Sequence, residues 1–264
     1  IFGVFQNDAG VAMNWAINSK WALSLNVNNS ISKALQSNFT LYNRQLNTFQ
    51  GTLTYSPHGT WSAGYEGSVS LLSYEQETLN DGVLLNSGVF LRAPLGSSTF
   101  LRVAGGLQRF DFDNPRVLQP NGPEDYKDLS DYYFNFSINN QINNRVSHVL
   151  SLGHESALNL ASNFITANYI NYGISVITSK GGRLSLTGYF ERAKPSDFNP
   201  LYPQTQASLT QYGFDTYYNH QITSRISMGA GYHFGRTDSE AFNGAFDQHA
   251  FHLNFGMAVS KKAM

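Results

Sequence analysis

The clearest pattern in the chain is an unbroken alternation of apolar and polar positions along residues 225–235, "RISMGAGYHFG". The even positions are apolar or aromatic: Ile226, Met228, Ala230, Tyr232 and Phe234. The odd positions in between are small or polar: Ser227, Gly229, Gly231, His233 and Gly235. Since successive side chains of a β-strand point to opposite faces, this segment predicts a strand with one apolar face. That face either packs onto a protein core or contacts lipid.

The same alternation recurs in five further segments along the chain. They are "VLLNSGVFLRA" (83–93), "FLRVAGGLQ" (100–108), "DYYFNFSINN" (131–140), "RLSLTGYFE" (183–191) and "AFHLNFGMAV" (250–259). In each segment the polar parity carries Arg, Glu, Asn, Gln or His near the middle of the predicted strand. A period of two that is repeated in this way predicts an all-β chain.

The predicted strands are too long for an ordinary soluble sheet. We expect about thirteen strands, near 1–17, 21–29, 38–55, 60–74, 83–93, 98–112, 129–141, 145–157, 163–178, 182–193, 206–221, 225–236 and 247–260. Globular strands usually have about 5–6 residues. A tilted strand that crosses a membrane needs about 9–11 residues. Strand length therefore favours a membrane-spanning barrel over a soluble sandwich.

The connections between the predicted strands alternate in length. Short turns are expected at 18–20, 56–60, 94–98, 142–145, 179–182 and 222–225. Longer polar segments lie at 28–37, 74–82, 113–128, 194–206 and 236–247. In an antiparallel array, this alternation places short turns on one rim and long loops on the other. That asymmetry is typical of bacterial outer-membrane barrels.

Composition agrees with a membrane barrel. Charged residues make up 13% of the chain, against about 25% in soluble domains, while aromatic residues reach 14%. No run of about 18 apolar residues occurs, so no transmembrane helix is predicted. The absence of cysteine excludes disulfides and thiolate chemistry. The net charge of −1 gives no electrostatic reason to expect nucleic acid as a partner.

These observations predict an all-β fold, a transmembrane antiparallel up-and-down β-barrel of about 12–14 strands. Residues 1–264 form one domain that is integral to the bacterial outer membrane, with its apolar stripes on lipid and its polar faces lining a lumen. Single-chain bacterial barrels have even strand numbers. The count of thirteen therefore implies that one segment is misread or that a further strand precedes Ile1.

The last third of the chain resembles a known group of proteins. The segments "YINYGISVITSKGGRLSLTGYFERAK", "YGFDTYYNHQITSRISMGAGYHFGRTDSE" and "FDQHAFHLNFGMAV" are similar to the closing hairpins of outer-membrane β-barrel porins. The similarity covers about residues 163–260 and concerns architecture rather than a site. It implies a barrel with porin-like permeation. The end "SKKAM" departs from the terminal aromatic residue with which outer-membrane proteins commonly finish.

One segment, "LGHESALNLASNFITAN" (152–168), contains residue types that could form a catalytic site. It locally resembles outer-membrane phospholipase A and lipid A deacylases, which carry a His-x-Ser pair on one strand. The resemblance implies Ser156 as nucleophile, His154 as base and Asn168 as the residue that orients the histidine. The chain lacks the Asn-Gly that follows the serine in the phospholipase. The alternative is that these polar residues simply mark where a strand leaves the membrane.

Seven charged residues have the parity that faces the lumen. They are Arg44, Glu66, Arg92, Arg102, Arg183, Glu191 and Asp215. A lining of mixed charge can create a transverse field that selects small polar solutes. Alternatively, the same residues pair with one another and plug the interior. Parity alone leaves both alternatives open.

Three functions are compatible with the sequence. The first is a porin-like channel for diffusion of small hydrophilic solutes, which is not an enzyme and needs no cofactor or metal. The second is an outer-membrane lipid hydrolase that uses His154, Ser156 and Asn168. The third is a structural barrel with a plugged lumen that acts through partner subunits. Expected partners are outer-membrane lipid, small solutes, and further copies of the chain or other envelope proteins, but no nucleic acid.

Overall fold

The alternating segments form β-strands in the order that the sequence predicts. The computed structural model describes residues 4–57, 60–76, 81–113, 128–158, 163–179, 181–196, 208–239 and 244–257. The strands are β1 (Val4–Ala16), β2 (Trp21–Ala34), β3 (Arg44–Tyr55), β4 (Ser62–Tyr74), β5 (Gly82–Pro94), β6 (Thr99–Phe112), β7 (Leu129–Gln141), β8 (Val146–Leu158), β9 (Phe164–Ser179), β10 (Gly182–Pro195), β11 (Leu209–Gln221), β12 (Ile226–Ser239) and β13 (Gly244–Met257). Each has 12–16 residues, which confirms the prediction of long strands.

All thirteen strands belong to one sheet with up-and-down topology. The sheet order is the chain order, and each strand pairs antiparallel with the next. This confirms the predicted architecture and a strand number within 12–14. Among the described residues, β1 pairs only with β2 and β13 only with β12, so the sheet is not closed into a cylinder.

Short turns at one rim are fixed by side-chain caps. The Asn18 Oδ1 accepts hydrogen bonds from the backbone N–H groups of Lys20 and Trp21, at 2.8 and 3.0 Å. Asn143 does the same for Arg145 and Val146, at 2.8 and 2.9 Å. Asparagine suits tight turns because its side chain hydrogen-bonds backbone two or three residues on. The predicted alternation of short and long connections is confirmed. Most of 113–128, the longest predicted loop, lies outside the described residues.

The connection between β2 and β3 differs from the prediction. β2 continues to Ala34, and residues Ser37–Tyr42 form a 3-10 helix, so that β3 starts at Arg44 rather than near residue 38. Asn43, which is buried, fixes the change of direction, since its Oδ1 accepts a hydrogen bond from the Ala34 N–H at 2.7 Å. A buried side chain that satisfies the backbone has no signature in the hydrophobic pattern.

An exposed ion pair joins this corner to the end of β4. The Lys33 Nζ donates to Glu75 Oε1, and the Asn43 Nδ2 donates to Glu75 Oε2 at 2.8 Å. The hydrogen bond from Lys33, followed by that from Asn43, holds the pKa of the Glu75 carboxyl below its ordinary value. These contacts tie two long connections together on the same rim of the sheet.

One face of the sheet is apolar and exposed along its length. Large side chains on this face include Val11, which is 75% exposed, Val89 at 62% and Leu107 at 70%. A soluble protein would bury such a continuous apolar surface, whereas a membrane barrel exposes it to hydrocarbon. No helix among the described residues is long and apolar enough to cross a membrane.

A small apolar cluster lies at the rim that carries the long connections. Leu72, Leu84, Phe110, Leu129 and Phe164 are all buried against one another. The ring centroids of Phe110 and Phe164 are 6.3 Å apart in an edge-on arrangement, although β6 and β9 are three strands apart in the sheet. The long-loop ends of β6 and β9 are therefore drawn together across the intervening strands.

Candidate functional site: the polar inner face

Contacts that skip strands identify the concave face of the sheet. The Arg102 Nη2 on β6 donates to Glu66 Oε2 on β4 at 2.7 Å. The Tyr133 hydroxyl on β7 donates to Glu66 Oε1 at 3.1 Å. Side chains of non-adjacent strands converge only on the concave side of a curved sheet, so Glu66 and Arg102 define what we call the inner face. The exposed apolar face is the outer face.

The strand registers place all seven predicted lumen charges on the inner face. Arg44 lies opposite Tyr74, and Arg92 lies opposite Arg102. Continuing the registers across β7, β8 and β9 puts the odd-numbered residues of β10 and β11 on the same side. The set on this face is thus Arg44, Glu66, Arg92, Arg102, Arg183, Glu191 and Asp215.

The seven residues have different surroundings. Glu66 and Arg102 pair with each other, and Asp215 Oδ1 lies 2.7 Å from His233 Nδ1 on β12. Arg44 lies opposite Tyr74 in the register of β3 and β4. Glu191 on β10 lies opposite Tyr169 on β9, and Glu155 on β8 lies opposite Ala167 on the same strand. Arg183 lines a hollow of about 240 Å³ beside the 142–145 turn.

A polar hollow of about 300 Å³ surrounds the Glu66–Arg102 pair. Its lining consists of Gln50, Glu66, Gly67, Ser68, Asn86, Arg102, Gln108, Tyr133 and Glu155. The lining side chains hydrogen-bond along the wall, because Gln108 Nε2 donates to Asn86 Oδ1 and Asn86 Nδ2 donates to Ser68 Oγ, both at 3.0 Å. The arrangement offers donors and acceptors to a polar solute.

Tyrosine side chains lie against glycines along this wall. Gly88 and Gly106 stand in the register row between Glu66 and Tyr133. A Cβ at Gly88 would lie 2.1 Å from the Tyr133 hydroxyl oxygen, and a Cβ at Gly106 would lie 2.7 Å from Tyr133 Cε1. The ring of Tyr133 therefore crosses both glycines to reach Glu66.

The same arrangement occurs three times more on the inner face, once where Tyr217 covers Gly229 and Gly231. Tyr169 covers Gly153, and its hydroxyl accepts a hydrogen bond from Asn135 Nδ2 at 2.8 Å. Tyr189 covers Gly213 and Gly235. A ring that lies along the wall fills little of the space in front of it. The sequence signal for this device is a glycine on the polar parity beside a tyrosine on the neighbouring strand.

The predicted catalytic residues are only partly brought together. His154 Nδ1 lies 2.9 Å from Asn168 Oδ1, as the phospholipase resemblance implies. The other ring nitrogen, Nε2, lies 3.2 Å from Asp131 Oδ2. Ser156 is buried, and its Oγ hydrogen-bonds Thr166 Oγ1 at 2.7 Å rather than His154.

Two further features near His154 were not expected from the sequence. The pairing of β7 with β8 ends at Phe134 opposite His154, although both strands continue beyond it. Beyond this point the side-chain amide of Gln108 on β6 replaces the missing backbone partner of Ser156. It accepts a hydrogen bond from the Ser156 N–H at 2.8 Å and donates one to the Ser156 carbonyl at 3.2 Å. Tyr132 stacks on His154 with ring centroids 4.4 Å apart.

The described residues contain no group of three or more His, Asp or Glu side chains that could hold a metal ion.

Comparison with known proteins gives structural similarity without sequence similarity. No protein-family model and no curated protein matches the sequence. The FrpB iron transporter from Neisseria meningitidis matches with a TM-score of 0.56 at 10% identity, over 89% of this chain and 44% of that one. The copper transporter OprC matches with a TM-score of 0.56 at 11% identity, over 97% and 49%. This chain thus spans about half the length of these proteins, or less.

A third similar structure is of comparable length. OmpT, an outer membrane protein of Vibrio cholerae, matches with a TM-score of 0.50 at 10% identity, over 96% of this chain and 88% of that one. Structural matches at such low sequence identity establish the fold alone. Together with the apolar outer face, they show that the chain has the fold of the integral β-barrel proteins of the bacterial outer membrane.

Proposed function

We propose that the protein is a porin-like outer-membrane channel through which small hydrophilic solutes diffuse. The observation that carries this proposal is the inner face, where the seven charged residues Arg44, Glu66, Arg92, Arg102, Arg183, Glu191 and Asp215 lie together on one side of the sheet. Tyrosine side chains that lie against glycines of the wall add to it, because a side chain packed along the wall takes up less of the lumen; these glycines are Gly88, Gly106, Gly153, Gly213, Gly229, Gly231 and Gly235. Permeation of this kind needs no covalent step and no cofactor.

The distribution of charge around the wall supports solute selection. One group, on β3 to β6, consists of Arg44, Glu66, Arg92 and Arg102, and a second, on β10 and β11, consists of Arg183, Glu191 and Asp215. In a closed barrel of 12–14 strands, strands that are six or seven apart face each other. The first group, with three basic residues and one acidic residue, would then face the second, with one basic and two acidic residues, and the resulting transverse field would orient polar solutes.

Replacing Arg102 with glutamine tests the proposal. The change leaves Glu66 without its cationic partner, so the lumen gains net negative charge. We expect the reversal potential of the channel in a salt gradient across a planar bilayer to shift toward cation selectivity. The matched control is Arg109→Gln on the same strand, because Arg109 lies on the outer face and is exposed.

Two results would contradict the channel. One is an equal shift from the Arg102 and Arg109 variants, which would separate selectivity from the inner face. The other is a purified, folded protein that never opens a current. That second result would instead favour a plugged structural barrel, for which the buried cluster around Phe110 and Phe164 is the supporting contact.

Lipid hydrolysis is a second candidate function, and one contact favours it. His154 is held by Asn168 at 2.9 Å, the arrangement expected of a histidine base and its orienting amide. Catalysis would require the Ser156 hydroxyl to leave Thr166 and bind His154 Nε2 in place of Asp131. Ser156→Ala should then abolish phospholipase activity, while Ser151→Ala on the same strand should retain it. Equal activity of both variants would remove this candidate.

A further inference from the structure

Two arginines at the short-turn rim lie in one register row of the sheet. The Ile177 N–H on β9 donates to the Arg145 carbonyl at 2.7 Å, and Ile177 is also the register partner of Arg183 on β10. Arg145, directly before β8, and Arg183 therefore flank Ile177 from its two sides. Neighbouring strands are about 4.8 Å apart, so the two arginine backbones are separated by about 10 Å. Residues of one row point to the same face, which for Arg183 is the inner face.

Both arginines line the same hollow of about 240 Å³, and none of its lining residues is acidic. The rest of the lining consists of four side-chain amides, two serines and two aliphatic residues. No ion pair joins Arg145 or Arg183 to an Asp or Glu in the part of the chain that the structure describes. Arg102, on the same face, is by contrast neutralised by Glu66. The hollow thus carries two positive charges without a counter-charge.

Hydroxyl groups lie in the next register row of the same face. Ser147 on β8 and Ser175 on β9 are register partners, and both line the hollow. The Ser175 Oγ is buried and makes no hydrogen bond to any residue that the structure describes. A buried hydroxyl in this condition is unfavourable, because it has lost its hydrogen bonds to water without replacing them. An acceptor atom bound in the hollow would satisfy it.

We propose that this hollow is a binding site for a phosphate group, either free or carried by a small solute. The planar guanidinium groups of Arg145 and Arg183 match the oxygens of phosphate and donate several hydrogen bonds to them. A phosphate monoester carries about 1.5 to 2 negative charges at pH 7, which balances the charge of the two arginines. The Ser175 hydroxyl donates to a further oxygen of the same group. The inference rests on the proposed channel, for which it names a class of solute.

The backbone around the two arginines is fixed without a ligand. The Asn143 Oδ1 accepts hydrogen bonds from the backbone N–H groups of Arg145 and Val146, at 2.8 and 2.9 Å. Arg183 is paired on both sides, with Ile177 on β9 and Asn219 on β11. Binding therefore has to order only the two side chains, which lowers its entropic cost.

The turn at 222–225 provides a matched control. Its sequence "ITSR" has the length of "INNR" at 142–145 and likewise ends on an arginine directly before a strand. The Thr223 Oγ1 accepts a hydrogen bond from the Arg225 N–H at 3.2 Å, as Asn143 does from Arg145. Arg225 does not line the hollow. Its replacement removes one positive charge from the same rim and leaves the proposed site intact.

Isothermal titration calorimetry on the full chain, folded in detergent micelles, tests the site with inorganic phosphate and with glycerol phosphate. We expect the parent to bind at least one of them, and the one that binds more tightly shows whether free phosphate or a phosphorylated solute is preferred. Arg145→Gln and Arg183→Gln should each weaken binding at least about tenfold, the effect of losing hydrogen bonds to a charged group. Arg225→Gln should bind like the parent.

Three results would overturn the site: no binding of either phosphate compound, an equal loss in the Arg225 variant, or tighter binding of the dicarboxylate succinate than of phosphate. The titration needs no current, so it separates the site from the channel. Phosphate binding by a protein that never opens a current in a planar bilayer would support the site and contradict the channel. A current without phosphate binding would support the channel and contradict the site.

Discussion

The Leu186→Arg variant should lose about 2–4 kcal/mol of folding free energy, the cost of an arginine on the lipid face of a barrel near the bilayer midplane. Leu186 lies in the middle of β10 on the outer face, opposite Ile174 on β9 and Thr216 on β11. Its side chain is 45% exposed without being covered by another part of the described protein. The cost arises because the guanidinium would have to enter hydrocarbon or distort the bilayer around it.

Thr187→Arg is the matched control for this variant. Thr187 is the next residue on the same strand and points to the inner face, where an arginine remains hydrated. Its unfolding free energy should stay within about 0.5 kcal/mol of the parent, as for most substitutions on a hydrated surface. The measurement is urea-induced unfolding in lipid vesicles, followed by tryptophan fluorescence. Equal losses in the two variants would mean that the two faces do not differ in environment.

The Gly106→Val variant should be destabilised by about 1–3 kcal/mol, the usual cost of forcing extra atoms into a packed site. A Cβ at this position would lie 2.1 Å from the Ser87 carbonyl oxygen and 2.7 Å from the ring of Tyr133. Backbone cannot move aside cheaply, and the displaced tyrosine would lose its hydrogen bond to Glu66. The same denaturation measurement, together with the single-channel conductance, should report both effects.

Gly188→Val controls for the introduction of valine into a strand. Nothing lies closer than 3.9 Å to a Cβ at Gly188, and the position belongs to the outer face of β10. This variant should be as stable as the parent or slightly more stable. If Gly106→Val were equally well tolerated, Tyr133 would not be packed on Gly106 in the folded protein.

The fold can be predicted from the sequence because the features that determine it, the alternation within each strand and the residues of each turn, are local. Alternation along 225–235 or 183–191 reports the pleat of a strand, and the position of each turn is marked by residues such as Asn18 and Asn143. A lipid-facing sheet repeats this pattern from strand to strand without a buried core to disturb it. The order of the strands then follows from short connections that leave little choice of neighbour.

Features that depend on curvature could not be predicted in this way. The contact of Phe110 with Phe164 joins strands that are three apart, and the Gln108 amide replaces backbone pairing at Ser156. Both depend on how strongly the sheet curves at the rim that carries the long loops, and the sequence of a single strand does not determine that curvature. The 3-10 helix before β3 likewise depends on Asn43, whose role is tertiary.

In the candidate site, too, the local pattern predicts which face a residue lies on but not which side chains it contacts. Parity places Glu66, Arg92 and Arg102 on one face, but it does not determine that Glu66 pairs with Arg102 on β6 while Arg92 faces another arginine. The resemblance to phospholipases concerns His154, Ser156 and Asn168, of which His154 and Asn168 lie in contact while Ser156 bonds Thr166 instead. It could not anticipate Asp131, which reaches His154 where the β7–β8 pairing ends.

In the membrane, hydrocarbon should contact the even-numbered side chains of β10, while water contacts the odd-numbered ones. Single cysteines introduced at each of residues 183–191, in a chain that has none, can carry a nitroxide spin label in lipid vesicles. We predict that collision with oxygen peaks at Leu184, Leu186, Gly188 and Phe190, and that collision with a water-soluble nickel complex peaks at the residues between them. Accessibility without a period of two, or with the two reagents exchanged, would contradict the account.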